Sequence, residues 1–248
     1  MAADSSRQRI RIGTAGWSLY KPPAGRFPDK GSHLERYAAT FDAVEINSSF
    51  YRPHKPETYA RWAASVPAGF RFAVKLPGAI THEHRLVDCE TLVERFAGEV
   101  AHLGEKRGPV LVQLPPSLGF DAPRADRFFG FARETLGGMM VCEPRHAGWF
   151  TAEADALLGE YRVARVAADP APVPGAAEPG GWRGLRYARL HGSPRIYWSH
   201  YDAAAIERHA GVAHAAEVEN WTIYDNTASG AALGNALEML DRVNTIRN

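Results

Sequence analysis

The chain repeats one pattern along its length: a short apolar, β-rich run, a polar or Gly/Pro-rich link, and then an amphipathic stretch of helical length. This alternation predicts a parallel sheet covered by helices, because parallel strands need long crossover connections. Eight strands are expected, at Ile10–Thr14, Ala43–Asn47, Phe70–Leu76, Pro109–Leu114, Met139–Glu143, Val163–Asp169, Leu185–His191 and Asn220–Asn226.

Helical stretches follow most of these strands, and several carry start or stop signals. Ser32 and Glu35 have the spacing of a capping box, Pro56 precedes the second helix, and Gly104 ends the third. The expected helices are Leu34–Phe41, Glu57–Val66, Thr91–Leu103, Arg124–Leu136, Ala152–Tyr161, Ala203–Glu217 and Ala231–Val243. Residues 170–184 are too rich in proline and glycine to form a helix, so a loop is expected after strand six.

Eight strands in 248 residues are typical of a TIM-type (β/α)8 barrel, which commonly uses this length for one domain. We therefore predict an irregular α/β barrel over residues 9–248, preceded by a disordered tail at residues 1–8. An open doubly wound sheet fits less well, because it usually has fewer strands and a glycine-rich phosphate fingerprint. No dinucleotide or phosphate-loop fingerprint follows the first strand, where Gly13-Thr14-Ala15-Gly16 continues to Trp17.

Composition narrows the classes of function. The chain has a formal net charge of +1 and two cysteines, Cys89 and Cys142, without metal-type spacing. Neither a secretory leader nor an apolar run of roughly 20 residues is visible. These features predict a soluble, cytoplasmic protein with no membrane partner. The near-neutral total charge gives no global signature of nucleic-acid binding, but it is compatible with a local basic patch that binds nucleic acid.

The polar residues of the strands follow a parity rule. In a barrel strand one parity faces the helices, and the other faces the interior and, at the C-terminal end, the mouth where catalytic groups lie. The strand residues expected to face inward are Glu45, Asn47, Lys75, Gln113, Glu143, Asp169, Arg189, His191 and Asp225, with Arg145 just beyond strand five. For strand eight both parities are open, and Asp225 inward is the preferred assignment.

This mixture of charges suits an enzyme that carries out acid/base chemistry, of hydrolase, lyase or isomerase type, on a small anionic or sugar-like substrate. Glu143 is the expected general acid or base, His191 its relay partner, and Lys75 a charge anchor or Schiff-base nucleophile. The substrate-binding candidates are Trp17, Glu45, Asn47, Tyr51, His82, Gln113, Arg145, His146, Asp169, Arg189, Asp225 and Asn226. A buried ion network that only stabilises the mouth is the alternative.

Two further classes of function stay open. Glu45, Glu143, Asp169 and His191 could hold a divalent metal, but no local ligand spacing identifies a metal site, and the cofactor is unknown. A metal-dependent, nucleic-acid-binding or repair-type barrel would use aromatic residues as a stacking wall, and a non-catalytic barrel would only bind its ligand. The candidate wall comprises Trp17, Phe50, Tyr51 and Trp149, which could equally close the core.

The same strand ends carry motifs of a known family. The chain closely resembles the YecE-like family, domain of unknown function 72, at Gly13–Ser18, Val44–Tyr51, Phe72–Pro77, Thr81-His82, Leu111–Pro116, Glu143–His146, Arg189–Gly192 and Asn226-Thr227. The resemblance covers nearly the whole chain and implies a TIM barrel, but no reaction. The chain departs from the family pattern at Pro144, at Asp225 and in Leu19–Phe27, which lacks a second tryptophan.

Overall fold

The computed structural model of the protein describes residues 9–20 and 22–247. Its strands are β1 (Ile10–Thr14), β2 (Ala43–Ile46), β3 (Arg71–Lys75), β4 (Arg107–Gln113), β5 (Met140–Glu143), β6 (Val163–Arg165), β7 (Ala167–Asp169), β8 (Gly180–Gly181), β9 (Leu185–Leu190) and β10 (Glu219–Tyr224). Its α-helices are α1 (His33–Ala38), α2 (Pro56–Ala64), α3 (Glu90–Val100), α4 (Ala122–Leu136), α5 (Ala152–Glu160), α6 (Ala203–Ala215) and α7 (Ala231–Arg247).

The predicted alternation of strands and helices is confirmed, with small shifts at the boundaries. The expected sixth strand, Val163–Asp169, is divided into β6 and β7 by Val166. Between β7 and β9 the chain forms a short 3-10 turn at Pro174–Ala177 and the two-residue β8, with no α-helix, as the proline and glycine content predicts. The expected tail at residues 1–8 lies outside the described residues, and the single domain stays a prediction.

The strands form two sheets with mixed α/β architecture. One sheet has the order β1-β10-β9-β7 and is wholly parallel, and the other has the order β2-β3-β4-β5-β6-β8, with only β8 antiparallel. The sheets approach each other at two places. Ala15 and Glu45 form a parallel bridge between the ends of β1 and β2, and Val166, which joins β6 to β7, donates its backbone N–H to Cys142 O at 2.8 Å.

The two faces of the sheets are buried differently. One hydrophobic cluster contains strand residues such as Val44 and Val74 together with helix residues such as Phe129. A second cluster is built mainly from strand residues of the opposite parity, including Tyr187 and Trp221. We call the face of this second cluster the inner face. No described helix combines the length and apolar character that a membrane span requires.

The capping box predicted before α1 is present. Ser32 Oγ accepts the Glu35 backbone N–H at 3.3 Å, and a Glu35 carboxylate oxygen accepts the Ser32 N–H at 2.7 Å. Two N–H groups at the helix start are thereby satisfied. The box fixes the point where the chain enters α1 and turns towards β2.

We expect Ser32→Ala to lower the free energy of unfolding by about 1 kcal/mol, because one N–H of the first turn loses its acceptor. Glu35→Gln keeps an acceptor for the Ser32 N–H and serves as the matched control, with a smaller loss. Urea unfolding followed by circular dichroism measures both. Equal stability of Ser32→Ala and the wild type would show that the box contributes nothing.

Candidate active site

Arg189 lies at the centre of a buried group of charges on the inner face. It comes from the end of β9, and its guanidinium contacts carboxylates at the ends of β2, β5 and β10. Nε and Nη2 donate to Glu45 at 3.1 and 2.8 Å, Nη1 donates to Glu143 at 2.6 Å, and Nη2 also donates to Asp225 at 2.9 Å. Arg189 and Glu45 are both completely buried. All three guanidinium nitrogens are therefore engaged inside the protein.

His191 bridges two of these carboxylates. Its Nε2 lies 2.9 Å from Glu143 Oε1, and its Nδ1 lies 3.0 Å from Asp225 Oδ2. Burial opposes the charged imidazolium, but Glu143 and Asp225 outweigh burial and raise the pKa of His191. The protonated ring therefore donates to both carboxylates, and neither nitrogen is left for a substrate or a metal.

Glu143 is held in its charged form. Burial would raise its pKa, but Arg189 and His191 hold the pKa of the Glu143 carboxyl well below its ordinary value. Arg145 Nη2 lies 3.3 Å from Glu143 Oε1 and also donates to the Tyr197 hydroxyl at 2.8 Å. A carboxylate with three cationic neighbours is a weak base and does not carry a proton near neutral pH. The predicted general acid or base role of Glu143 thus has little electrostatic support.

Lys75, at the end of β3, has a different environment. It is 6% exposed, and its ammonium lies 4.0 Å from the centre of the Phe50 ring. Its Nζ makes no ion pair or hydrogen bond within the described part of the chain, because the nearby carboxylates already face Arg189. Burial, followed by the charge of Arg189, lowers the pKa of Lys75 to about 8, against the opposing effect of the three carboxylates.

Three other predicted residues lie at the ends of β2 and β4 or in the turn after β3. The His82 ring contacts Phe50 edge to face at 4.9 Å, and burial and the charges of Lys75 and Arg145 lower its pKa. Gln113 ends β4 beside Glu143 of β5, on the inner face. Asn47 follows β2, and its Oδ1 is buried without a hydrogen-bond partner in the described residues.

Several candidates lie elsewhere. Trp17 packs edge to face on Trp62 and Phe72 in the helix-facing cluster, so it supports the core. Tyr51 is 78% exposed beside Phe50, outside the buried charges. His146 Nδ1 accepts the Gly148 N–H at 3.0 Å and so caps a 3-10 turn. Of the candidate aromatic wall, Trp149 is also a core residue, with its indole N–H donating to Leu118 O at 2.9 Å.

The inward placement predicted for Asp169 is wrong. The register of β7 and β9 pairs Ala168 with Arg189 and Asp169 with Leu190, so Asp169 lies on the outer face. Its side chain is 43% exposed and approaches His209 of α6 at 3.9 Å. Val166 and Ala168, which alternate with Asp169 and which the parity rule therefore places outward, are inner residues of this segment, together with Ala164. No helix follows β7, so the outer face there need not be apolar.

Asn226 also lies outside the charged group. Its Nδ2 donates to Ser199 O at 2.8 Å and to Asn235 Oδ1 at 2.9 Å. These bonds join the end of β10 to α7 and to the loop after β9.

The four residues proposed as metal ligands do not form one site. Asp169 lies on the other face of the sheet, and Glu45, Glu143 and His191 are engaged with one another or with Arg189. Among the described residues, no group of His, Cys, Asp and Glu has the arrangement of a metal site.

Sequence reasoning missed two tyrosines around the charges, and it named Phe50 only as part of the candidate aromatic wall. The Tyr187 hydroxyl donates to Glu45 at 2.8 Å, the Tyr197 hydroxyl accepts from Arg145, and Phe50 covers Lys75. Tyr187 could have been found, since it precedes Arg189 by two residues on the same strand face. Tyr197 lies in the loop after β9 and carries no comparable signal.

A cavity of about 370 Å³ opens at this end of the strands, but beside the charged group rather than over it. Thr14 lines it from the end of β1, and Gly16 and Ser18 line it from the loop that follows. Thr227 and Ser229 line it from the loop before α7, and Leu233 lines it from α7 itself. The charged group and this cavity are neighbours because β1 pairs with β10.

A family model described as "Protein of unknown function DUF72" matches residues 11–248. The chain belongs to this family. The UPF0759 protein YecE of Escherichia coli (strain K12) is 37% identical over 86 residues, which are 35% of this chain and 32% of that protein. The UPF0759 protein YunF of Bacillus subtilis (strain 168) is 26% identical over 154 residues, 57% of this chain and 52% of that protein. The chain thus spans about a third to a half of the length of these curated relatives.

Solved structures resemble this DUF72 protein along most of its length. A DUF72 family protein from Enterococcus faecalis V583 has a TM-score of 0.80 at 22% identity, with 95% of each chain covered. A sugar phosphate isomerase/epimerase from Parabacteroides distasonis has a TM-score of 0.58 at 12% identity, with 98% of this chain and 97% of that chain covered. At these identities the similarity shows a common fold, which in this chain is a mixed α/β fold with parallel sheets.

We expect Arg189→Met to lower the free energy of unfolding of this DUF72 protein by about 3–5 kcal/mol, because it leaves buried carboxylates without their common partner. Arg145→Met is the matched control with a smaller loss, since Glu143 keeps Arg189 and His191. Urea unfolding at pH 7 compares the two. Equal losses would mean that Arg189 is not the central partner.

The raised pKa of His191 predicts a pH dependence of stability. Because the folded-state pKa lies above the unfolded value of 6.5, the stabilisation is fully present below about pH 6.5. It is lost as pH rises through the folded-state pKa. We therefore expect the difference in free energy of unfolding between the wild type and His191→Asn to shrink from pH 6 to pH 10. A difference that grows with pH over this range would contradict a charged His191.

Proposed function

We propose that this DUF72 protein is an isomerase-type enzyme that moves a proton on a small, anionic, sugar-like carbonyl compound, with Lys75 as the proton-transfer group. The observation that carries the proposal is the environment of Lys75. Its amine is buried beside three carboxylates, yet Arg189 and His191 occupy those carboxylates and leave Lys75 without an ionic partner among residues 9–20 and 22–247. Structural lysines are usually exposed or paired, so this position is better explained by chemistry.

The pKa of Lys75 suits proton transfer. A value of about 8 leaves both the neutral amine and the ammonium populated near neutral pH. The neutral amine can remove a proton from the hydroxyl-bearing carbon next to a carbonyl, which gives an enediolate. The resulting ammonium can then return the proton to the former carbonyl carbon, while the hydroxyl proton passes to the former carbonyl oxygen and leaves the new carbonyl at the neighbouring carbon. In this proposal Glu143 stays a carboxylate and His191 stays protonated throughout the step, and neither gives up nor accepts a proton.

Arg145 supplies an anchor for an anionic group. Only its Nη2 is bound, to Glu143 and Tyr197, while Nε and Nη1 have no partner in the part of the chain that the structure describes. With Lys75 as the neutral amine, Arg145, Arg189 and His191 balance the three carboxylates, so the free donors of Arg145 are the groups proposed to bind the anion. The unpartnered Asn47 Oδ1 supports a hydroxylated substrate, because it needs a donor when buried.

The fold is compatible with this chemistry. We propose that the two sheets close into one irregular (β/α)8 barrel, through the Ala15–Glu45 bridge on one side and Val166 on the other. The charged group then lies at the C-terminal mouth, where barrel enzymes place their catalytic residues. The name of the Parabacteroides distasonis protein, a sugar phosphate isomerase/epimerase, supports a sugar-like substrate by analogy of fold.

The nucleic-acid alternative loses its main support. Trp17 and Trp149, which would have formed a stacking wall, pack in the core. The ion-network alternative accounts for Arg189, Glu45 and Asp225, but it does not account for a buried lysine outside the network.

Proton exchange with solvent tests the proposed reaction. The protein is incubated in D2O with a panel of ketoses, aldoses, their phosphates and uronates, and loss of the C–H signal next to the carbonyl is followed by proton NMR. We expect exchange of at least one phosphate or uronate, with a rate that rises through an apparent pKa near 8. Lys75→Gln should reduce the rate by about 10²-fold or more.

His146→Gln is the matched control, because this exposed residue caps a surface turn, and its exchange rate should equal that of the wild type. A stability measurement separates the functional from the structural role of Lys75. Since burial lowers its pKa, Lys75→Met should raise the free energy of unfolding at pH 7 while abolishing exchange. Full exchange by Lys75→Gln, or no exchange with any member of the panel, would refute the proposal.

A further inference from the structure

A second cavity, of about 310 Å³, lies on the outer face of the sheet, away from the charged mouth. Its floor includes the small outward residues Ala167 of β7 and Ala188 of β9, and α6 forms one wall with Val212. The space exists because no helix follows β7, and the loop after β7 forms the opposite wall through Ala171 and Ala177. A volume of this size is at the lower end of small-molecule sites.

Arg186 faces this cavity without a partner. It lies on the outer parity of β9, two residues before Ala188, and is half-buried. Its guanidinium makes no hydrogen bond and no ion pair within the described residues. Burial lowers the pKa of Arg186, against the opposing effect of the Glu178 charge. Five N–H donors in such a position lack the acceptors that buried arginines normally have.

The acidic residues of the cavity do not satisfy Arg186. Asp169 is directed to His209, whose Nε2 lies 3.9 Å from its carboxylate. The negative charge of Glu178 opposes the lowering of the Arg186 pKa, but the Glu178 side chain is exposed and forms no ion pair with Arg186. Arg208 of α6 adds a second positive charge to the lining. The cavity thus combines an apolar floor with the half-buried guanidinium of Arg186 and, on the α6 wall, the exposed Arg208.

We propose that this outer cavity binds a small aliphatic carboxylate, with the carboxylate on the Arg186 guanidinium and the chain over Ala167, Ala188 and Val212. Guanidinium and carboxylate match in geometry and can form two parallel hydrogen bonds. The apolar chain covers the exposed Val212 side chain and packs over the two alanines of the floor. This site is separate from Lys75 and from the proposed reaction.

Isothermal titration calorimetry with hexanoate tests the site, and hexan-1-ol serves as a neutral probe of similar shape. We expect saturable binding of hexanoate with one site per chain and at least about tenfold weaker binding of hexan-1-ol. Arg186→Gln should weaken hexanoate binding at least about tenfold, and Arg186→Lys should fall between the two, because lysine keeps the charge but loses the planar fork.

Arg183→Gln is the matched control. This exposed arginine precedes Arg186 by three residues, donates to Pro179 O and does not line the cavity, so its variant should bind hexanoate as the wild type does. Lys75→Gln should also bind normally, which separates this site from the mouth. No saturable binding by the wild type, equal binding by Arg186→Gln, or equal affinity for hexanoate and hexan-1-ol would each overturn the proposal.

Discussion

The triple engagement of Arg189 is the interaction on which the rest of the site depends. One guanidinium provides enough donors, in a fixed plane, to bind Glu45, Glu143 and Asp225 from three different strands. Three buried carboxylates around one cation leave an excess of negative charge, and this excess keeps His191 protonated between two of them. The geometry of the strand ends and the protonation state of the histidine are therefore set by the same contact.

The separation of Lys75 from the carboxylates is a consequence of this arrangement. Glu45 and Glu143 already bind Arg189, and their opposing effect does not offset burial and the charge of Arg189, so the pKa of Lys75 is lowered. Buried ion networks are costly to desolvate and are often no more stabilising than apolar residues of the same volume. What the network provides here is a partnerless amine with two accessible protonation states, beside an arginine with free donors.

Much of this site could be predicted from residue parity alone. Glu45, Lys75, Gln113, Glu143 and Arg189 alternate with apolar residues that pack against helices, so their inward direction followed from the pattern. Their roles could not be predicted in this way, because parity does not reveal which carboxylate meets which cation. Glu143 stays charged because Arg189 and His191 lie close to it, and His191 has no free nitrogen because both ring nitrogens lie within hydrogen-bond distance of carboxylates. The sequence does not give these distances.

The error at Asp169 and the outer cavity have one physical cause. Parity separates inner from outer residues only where a helix covers the outer face and requires apolar contacts. After β7 the chain forms a loop instead, so the outer residues of this region include Asp169 and Arg186 beside alanines, while the inner residues of the sixth segment are apolar. This segment has apolar residues on its inner face and charged residues on its outer face. The parity rule therefore assigns its two faces the wrong way round. The absence of an α-helix between β7 and β9 therefore explains why the prediction for Asp169 is wrong. At the same place, it leaves part of the outer face of the sheet open to a ligand.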